Sequence, residues 1–549
     1  MRHGELCSAV SFRPRCLGIV VLCVSALGCQ TDFRLQFQVP NNVTVPSRCA
    51  VLFFVDGFDH YVFDEMLAAG ELPSIDRYLI RRGVTVENGI TCVPSLTYAA
   101  STTLLTGRYP GHHDITGNKW FDRQTLVWKT YNDATTYRDV NADFCAPTIY
   151  DALSDRFTVN FQCAVRRGVT ETIDNWAESG VSFFFGWHLA ADRFVAEDYL
   201  QIPRLARKHS RWPDFVHAYF PGTDARGHEH GPESPNFRQV VRNVDRQIGR
   251  ICDGLEQADL LDRTFLILVS DHGMAPCSRE QFLDLTAWLR TVRGWRVHEG
   301  RLDGGTLEQR QRYFNGVDVA VVNGGNRHYQ LHIRGAEGWS SRPDFTRCRD
   351  VLTTGEPSLA TLPGVFAAAC RKGPDQAWIC GRDGSAVVTR KRHDKAVLYR
   401  YDIETGDPLG YTTDPDLAGF VESGWHDSRA WLAATAATRC PDTVAQLVEF
   451  FDSPRSPDIA IFAAEGWDFA PENVGGHGSI VRRDMWVPMI FAGPGIRRGA
   501  RIPVARVCDI APTIVEFLAG PERLIALGRI DGVSLVSQLC EAPPDASQQ

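Results

Sequence analysis

The amino-acid sequence predicts an α/β layer fold built on a mostly parallel central sheet flanked by helices, and three observations carry that expectation. Several short runs are unbrokenly apolar, stretches of helical periodicity separate them, and acidic or imidazole side chains stand just beyond three of the runs. Unbroken β-branched and aromatic runs suit strands buried on both faces. Their alternation with helices defines a layered architecture, and ligands in such sheets bind beyond the carboxyl ends of the strands.

The elements follow in order. Arg13 and Arg15 precede an uncharged stretch of 13 residues, Cys16 to Gly28. A bilayer span needs about 20 apolar residues, so this stretch is too short to be one. It ends Ala26-Leu27-Gly28-Cys29, with small residues where a signal peptidase cuts. Residues 1–29 therefore read as a signal peptide, either a lipoprotein signal ending before Cys29 or a plain secretory one. The protein is expected to be exported: a periplasmic or cell-surface lipoprotein with a lipid anchor, or a secreted protein.

Residues 48–276 read as the first part of a catalytic α/β domain. Its strands are expected at Val51–Val55, Phe215–Phe220 and Phe265–Val269, with a helix from Pro235 to Leu255 on which Val240, Val244, Ile248, Ile251 and Leu255 recur at helical spacing. Residues 277–457 turn polar and irregular, with β-like alternation at Tyr329–Ile333 and Ala396–Tyr401, and are expected to form an inserted cap. The sheet pattern is expected to resume at Ile459-Ala460-Ile461-Phe462 and to include Val487–Ala492, giving a second catalytic part over 458–538. Residues 539–549 read as a flexible tail.

Composition narrows the partners. The chain has 549 residues, 44% of them hydrophobic and 23% charged, with a formal net charge of −8. That is ordinary globular composition, and its sign argues against bulk attraction to nucleic acid. An anionic small molecule stays open, because bound divalent cations reverse the sign of a site. Of 16 cysteines, Cys7, Cys16, Cys23 and Cys29 fall in the signal, and the 12 that remain permit disulfides in an oxidising compartment.

Four segments carry chemistry. Asp56 follows the first run in Phe54-Val55-Asp56-Gly57-Phe58, a pattern that alone is usually a turn. Asp224-Ala225-Arg226-Gly227-His228 places an acid and an imidazole four apart on what reads as a strand-end loop, where both can converge on one cation. Ser270-Asp271-His272-Gly273-Met274 sets an adjacent acid and imidazole after a buried strand, which is costly unless they are paired or metallated. Gly475-Gly476-His477-Gly478-Ser479 holds a lone His in a glycine loop.

In this order and context the set resembles the alkaline phosphatase superfamily, and within it the type I phosphodiesterase/nucleotide pyrophosphatase family. The resemblance covers Ala50 to Asn118, Phe215 to Met274 and Ile459 to Phe517. It implies an alkaline-phosphatase-like fold and two divalent metal ions, with zinc suited to the His/Asp set. One would be held by Asp56, Thr97, Asp271 and His272, the other by Asp224, His228 and His477. It also implies that Thr97, nine residues before Thr106 of the Thr106-Gly107 pair, is the nucleophile, with Ser95 and Ser101 as rivals. The family carries Asn three residues after the nucleophile, but Ala100 stands there, so Asn118 or Lys119 becomes the substrate-binding donor unless phosphate is held differently.

The implied function is metal-dependent hydrolysis of phosphate esters, most directly phosphodiester or nucleotide pyrophosphate bonds, through a phospho-threonine intermediate. A phosphomonoesterase, a phosphoethanolamine-type transferase and a non-catalytic binding protein of this fold are the alternatives. A sulfatase reading rests on Cys92-Val93-Pro94-Ser95, but Leu96 replaces the expected Arg and Cys92 lies 14 residues before Thr106, too far for that motif. The cap would shape leaving-group choice, and Trp467 and Asp468 either line the pocket or form a packed loop.

Overall fold

The computed structural model describes residues 33–541 except 134, 175–185, 301, 303, 324–325 and 394–395. The expected signal peptide and most of the expected tail lie outside the described residues. In the first sheet, Thr264–Ser270, Cys49–Val55, Phe215–Phe220, Thr158–Phe161 and Glu171–Ile173 run side by side and parallel. Met489–Ala492, Gly83–Ile90, Trp486–Val487 and Ala500–Arg506 extend it, the first of these antiparallel to Thr264–Ser270. Val55 pairs with Phe220 on one side and Ser270 on the other, so Asp56 and Asp271 leave the sheet at the same level.

Both faces of this sheet are covered. Val51, Phe53 and Val55 join one apolar cluster with Val244, Ile248 and Ile251 of the Pro235–Gln257 helix. Ala50, Leu52 and Phe54 join another with Ile510, Ile514 and Phe517 of the Ile510–Ala519 helix. The long helix starts where Ser234 accepts a hydrogen bond from the Phe237 amide, a side-chain cap. The run expected at Val487–Ala492 is split at Pro488, which has no N–H to donate to a ladder.

The second sheet is almost wholly antiparallel. Its strands run in the order Val297–Glu299, Val319–Asn323, His328–Ile333, Ile459–Ala463, Val365–Gly373, Gln376–Gly381, Gly384–His393, Ala396–Gly406 and His426–Asp427. Ile459–Ala463 was expected to resume the first sheet and instead lies inside the second, between His328–Ile333 and Val365–Gly373. Ala460 and Phe462 pack into the cluster on one face, Ile459, Ile461 and Ala463 into that on the other. An antiparallel strand buried on both faces writes the same unbroken apolar run as a parallel one. The chain regains the first sheet only at Trp486.

Ala275–Phe282 pairs with Gly466–Asp468 and with Gly475–Gly476 in a small sheet leading out of the first. The 12 described cysteines are free thiols, most of them buried. No helix among the described residues is long and apolar enough to cross a membrane.

Candidate metal centre

Asp56, Asp271 and His272 gather where the parallel strands end. Gly57, at φ +61°, turns the chain sharply after Asp56. Its amide donates to Asp271 Oδ1 at 3.1 Å, and the His272 amide donates to the same oxygen at 3.0 Å. Tyr219 donates its hydroxyl to Asp56 Oδ2. The other oxygen of each carboxylate, Asp56 Oδ1 and Asp271 Oδ2, is buried with no hydrogen-bond partner. His272 Nε2 lies 3.3 Å from the first and 3.4 Å from the second.

The second group is Asp224, His228 and His477. Asp224 and His228 were expected on a loop; they lie on the Gly222–His230 helix, where a spacing of four puts both on one face. Asp224 Oδ1 is a third buried orphan oxygen, 3.3 Å from His228 Nε2 and 3.4 Å from His477 Nε2. It lies 4.0 Å from His272 Nε2, so the two groups adjoin. The rings of His272 and His477 stack with centroids 3.4 Å apart.

All three imidazoles are wired alike. Nδ1 faces a backbone carbonyl, that of Gly273 for His272 at 2.9 Å, Gly475 for His228 at 2.8 Å and Ser95 for His477 at 2.9 Å. A proton held on Nδ1 by a carbonyl leaves the Nε2 lone pair free to bind a metal.

Burial and the neighbouring charges pull the ionisable groups here in opposite directions. Burial and the neighbouring Asp56 push the Asp271 carboxyl well above its ordinary range. Burial lowers the His272 and His228 imidazoles, but Asp271 and Asp56 outweigh it for His272, raised to about 10, and Asp224 for His228, raised to about 9. Burial and the adjacent His272 hold His477 well below its ordinary value. Three orphan carboxylate oxygens converging with three Nε2 atoms are what a pair of divalent cations would satisfy. A further cluster, His112, Glu449 and Asp452, does not fit a metal. There Arg390 Nη1 already supplies the cation, at 2.5 Å from Glu449 and 2.6 Å from Asp452.

Thr97 is the first residue of the Thr97–Thr106 helix, and its Oγ1 lies 3.2 Å from His272 Nε2. Ser95 is fully buried, donating to the Ser479 carbonyl at 2.8 Å and accepting from the Gly478 amide at 3.1 Å, so its hydroxyl is committed to holding the His477 loop. Ser101 is buried a turn further along the helix. Cys92 packs with Leu96, Ala99 and Ala100, and burial pushes its thiol up to about 12. Ala100 therefore belongs to an apolar cluster.

Asn118 Oδ1 accepts from the Tyr98 amide at 3.0 Å, beside Thr97, which fixes the amide group and leaves Nδ2 without a hydrogen bond among the described residues. Lys119 is half-buried over the Trp128 ring, 5.7 Å from its centroid, and forms no ion pair among the described residues. Trp467 and Asp468 lie in the short Gly466–Asp468 strand rather than a loop and are packed there: the Trp467 carbonyl accepts from Arg327 at 2.6 Å and Asp468 accepts from the Ala470 amide at 2.7 Å. Residue types alone missed Tyr219, hidden inside an apolar strand run, and Asn326, whose Nδ2 lies 3.3 Å from His228 Nε2.

The parallel sheet with its metal-suited strand ends is an alkaline-phosphatase-like fold. It matches the solved structure of murine ectonucleotide pyrophosphatase/phosphodiesterase 5 with a TM-score of 0.52 at 16% identity, over 86% of this chain and 95% of that one. The family model for type I phosphodiesterase / nucleotide pyrophosphatase matches residues 50–340, more than half of the chain. The chain belongs to that family. It is 28% identical over 281 residues to an uncharacterized pyrophosphatase/phosphodiesterase of Schizosaccharomyces pombe, covering 49% of this chain and 54% of the relative. It is 28% identical over 257 residues to ectonucleotide pyrophosphatase/phosphodiesterase family member 1 of Mus musculus, covering 46% and 26%. A bis(5'-adenosyl)-triphosphatase of Xenopus laevis is 25% identical over 272 residues, covering 48% and 55%. The chain thus spans about half or less of the length of these curated relatives.

Proposed function

We propose that the protein is an exported two-metal hydrolase of phosphodiester or nucleotide pyrophosphate bonds, with Thr97 as the nucleophile. The observation that carries this reading is the placement of the Thr97 hydroxyl 3.2 Å from His272 Nε2, at the head of a helix facing two converging ligand groups. Asp56, Thr97, Asp271 and His272 would hold one cation, and Asp224, His228 and His477 the other. Zinc suits three imidazoles and three carboxylates. Bound there, the pair supplies Lewis acidity that lowers the pKa of the Thr97 hydroxyl and offsets charge on the departing oxygen.

The chain's own residues do the rest. Thr97 Oγ1 passes its proton to water and attacks phosphorus, forming the new O–P bond as the ester or anhydride O–P bond breaks. The leaving oxygen keeps the bonding electron pair. The amino end of the Thr97–Thr106 helix favours the anionic phosphoryl group. Asn118 Nδ2, aimed by the Tyr98 amide, donates to a non-bridging oxygen in place of the side chain that Ala100 lacks. Lys119 adds positive charge at the rim. Water then attacks phosphorus from the vacated side, the Thr97 Oγ1–P bond breaks, and Thr97 takes back a proton from that water.

The names of the Schizosaccharomyces pombe and Xenopus laevis relatives support diester and pyrophosphate substrates. The residues at 1–29 support export, as a lipoprotein attached at Cys29 or as a secreted protein. The test is turnover of bis-p-nitrophenyl phosphate against p-nitrophenyl phosphate by the zinc-loaded protein, with Thr97→Ala beside it. Diester turnover should exceed monoester turnover, and Thr97→Ala should retain less than about a thousandth of the activity at unchanged zinc content. A variant keeping a tenth of the rate would remove Thr97 as nucleophile, and faster monoester turnover would make the protein a phosphomonoesterase.

A further inference from the structure

Asn326 approaches the second ligand group from the antiparallel sheet. Its side chain is 6% exposed, with Nδ2 3.3 Å from His228 Nε2 and Oδ1 accepting from Asn473 Nδ2 at 2.7 Å. Its backbone is tied down as well. The Asn326 carbonyl accepts from the Phe469 amide at 3.2 Å, and the next amide, that of Arg327, donates to the His477 carbonyl at 3.0 Å. Arg327 is itself buried against Asp484 at 2.9 Å. The amide of Asn326 is therefore held in place by groups that also hold the ligand loop.

The direction of its hydrogen bond matters. With Nδ1 facing the Gly475 carbonyl, a metal-binding His228 would be neutral and carry its lone pair on Nε2, the atom that Asn326 Nδ2 faces. That Nε2 lone pair is the one a cation in the second group would take. Asn473 holds Oδ1 and keeps the amide from turning over, so cation binding leaves an oriented N–H beside the metal position without an acceptor. A buried donor left unpaired is costly. An oxygen gaining negative charge at that position removes the cost as the reaction proceeds, which is how transition-state donors act.

We propose that Asn326, positioned by Asn473, donates a hydrogen bond to the oxygen that leaves phosphorus. It gives up no proton: the leaving oxygen keeps the bonding pair and is protonated by water. This rests on the hydrolytic reading above and adds that the antiparallel sheet reads the leaving group.

The test uses the zinc-loaded full chain and methyl aryl phosphate diesters running from 4-nitrophenyl to unsubstituted phenyl. Asn326→Ala should lose about 10²-fold in kcat/KM on methyl phenyl phosphate but less than about threefold on the nitrophenyl ester, because only the poorer leaving group needs the donor. Asn473→Ala should steepen the dependence in the same sense by a smaller amount. Zinc content by elemental analysis and the thermal midpoint should match wild type for both variants. Equal loss across the series, or loss of zinc, overturns the proposal while the hydrolytic reading stands. A zinc-loaded wild-type protein inert toward every ester overturns both.

Discussion

At the scale of single residues, the centre is built by tying one atom of each side chain to the protein frame and turning the other into the shared space. Asp271 spends Oδ1 on two backbone amides and leaves Oδ2 orphaned, and Asp56 spends Oδ2 on Tyr219 and leaves Oδ1. The three imidazoles repeat the division, with Nδ1 on a backbone carbonyl and Nε2 turned inward, that of His272 toward Thr97 and that of His228 toward Asn326. Asp271→Asn combined with His272→Ala should accordingly lower bound metal from two ions to one per chain by elemental analysis, and an unchanged count would break the assignment of Asp271 and His272. The sequence made Asp271-His272 readable, because adjacent ionisable residues behind a buried strand demand a reason. Thr97 was readable only as a position counted back from Thr106. Its separation from Ser95 comes from the hydroxyl of Ser95 being tied to Gly478 and Ser479, which no spacing reveals.

At the scale of elements, the ligand groups depend on close approach between the turn after the first strand and the helix that bears Asp224. A Cβ at Gly57 would lie 2.8 Å from Asp224 Cα and 2.9 Å from its Cβ, at a φ of +61° that side chains rarely adopt. Gly57→Ala should cost more than about 1 kcal/mol from the backbone alone, with a larger loss of metal affinity as Asp224 is pushed aside. Thermal unfolding compared with and without zinc measures the two effects separately. The helical setting of Asp224 and His228 escaped the sequence because Gly222, Gly227, Asp and His are poor helix formers, and only tertiary packing holds them there. The three central parallel strands were legible to within two residues, whereas Thr158–Phe161 and Glu171–Ile173 were not anticipated. The placement of Ile459–Ala463 was not legible, since burial on both faces erases the period that would have assigned it to one sheet.

At the scale of the molecule, the two sheets are clamped by an ion network around His112. Its Nδ1 meets Asp531 at 2.7 Å and its Nε2 meets Glu449 at 2.9 Å and Asp452 at 3.3 Å. Arg390 bridges the last two carboxylates and Asp375, and Tyr399 donates to Glu449 at 2.5 Å. Burial lowers the His112 imidazole, but Asp452, Asp531 and Glu449 more than reverse this and raise it to about 11. The sign follows from that upward shift. The stabilisation is complete below the unfolded value of about 6.5 and drains away as pH rises through the folded one. His112→Ala should therefore destabilise by about 3 kcal/mol near pH 6, as expected for breaking a buried pair. The deficit relative to wild type should shrink steadily toward pH 10. Denaturant unfolding at several pH values checks this, and a pH-independent deficit would count against a charged His112.

The order of the ligands along the chain also has a meaning in time. Asp56 and Thr97 are made early, Asp224, His228, Asp271 and His272 follow, and His477 comes after the whole antiparallel sheet, just ahead of the Met489–Ala492 strand that flanks Thr264–Ser270. Synthesis delivers the chain from its amino end. A nascent chain therefore holds the second group incomplete, and the Gly83–Ile90 strand without its sheet neighbours, until the segment from His477 to Arg506 has been made. The proposed second cation could therefore be held only once His477 has joined Asp224 and His228.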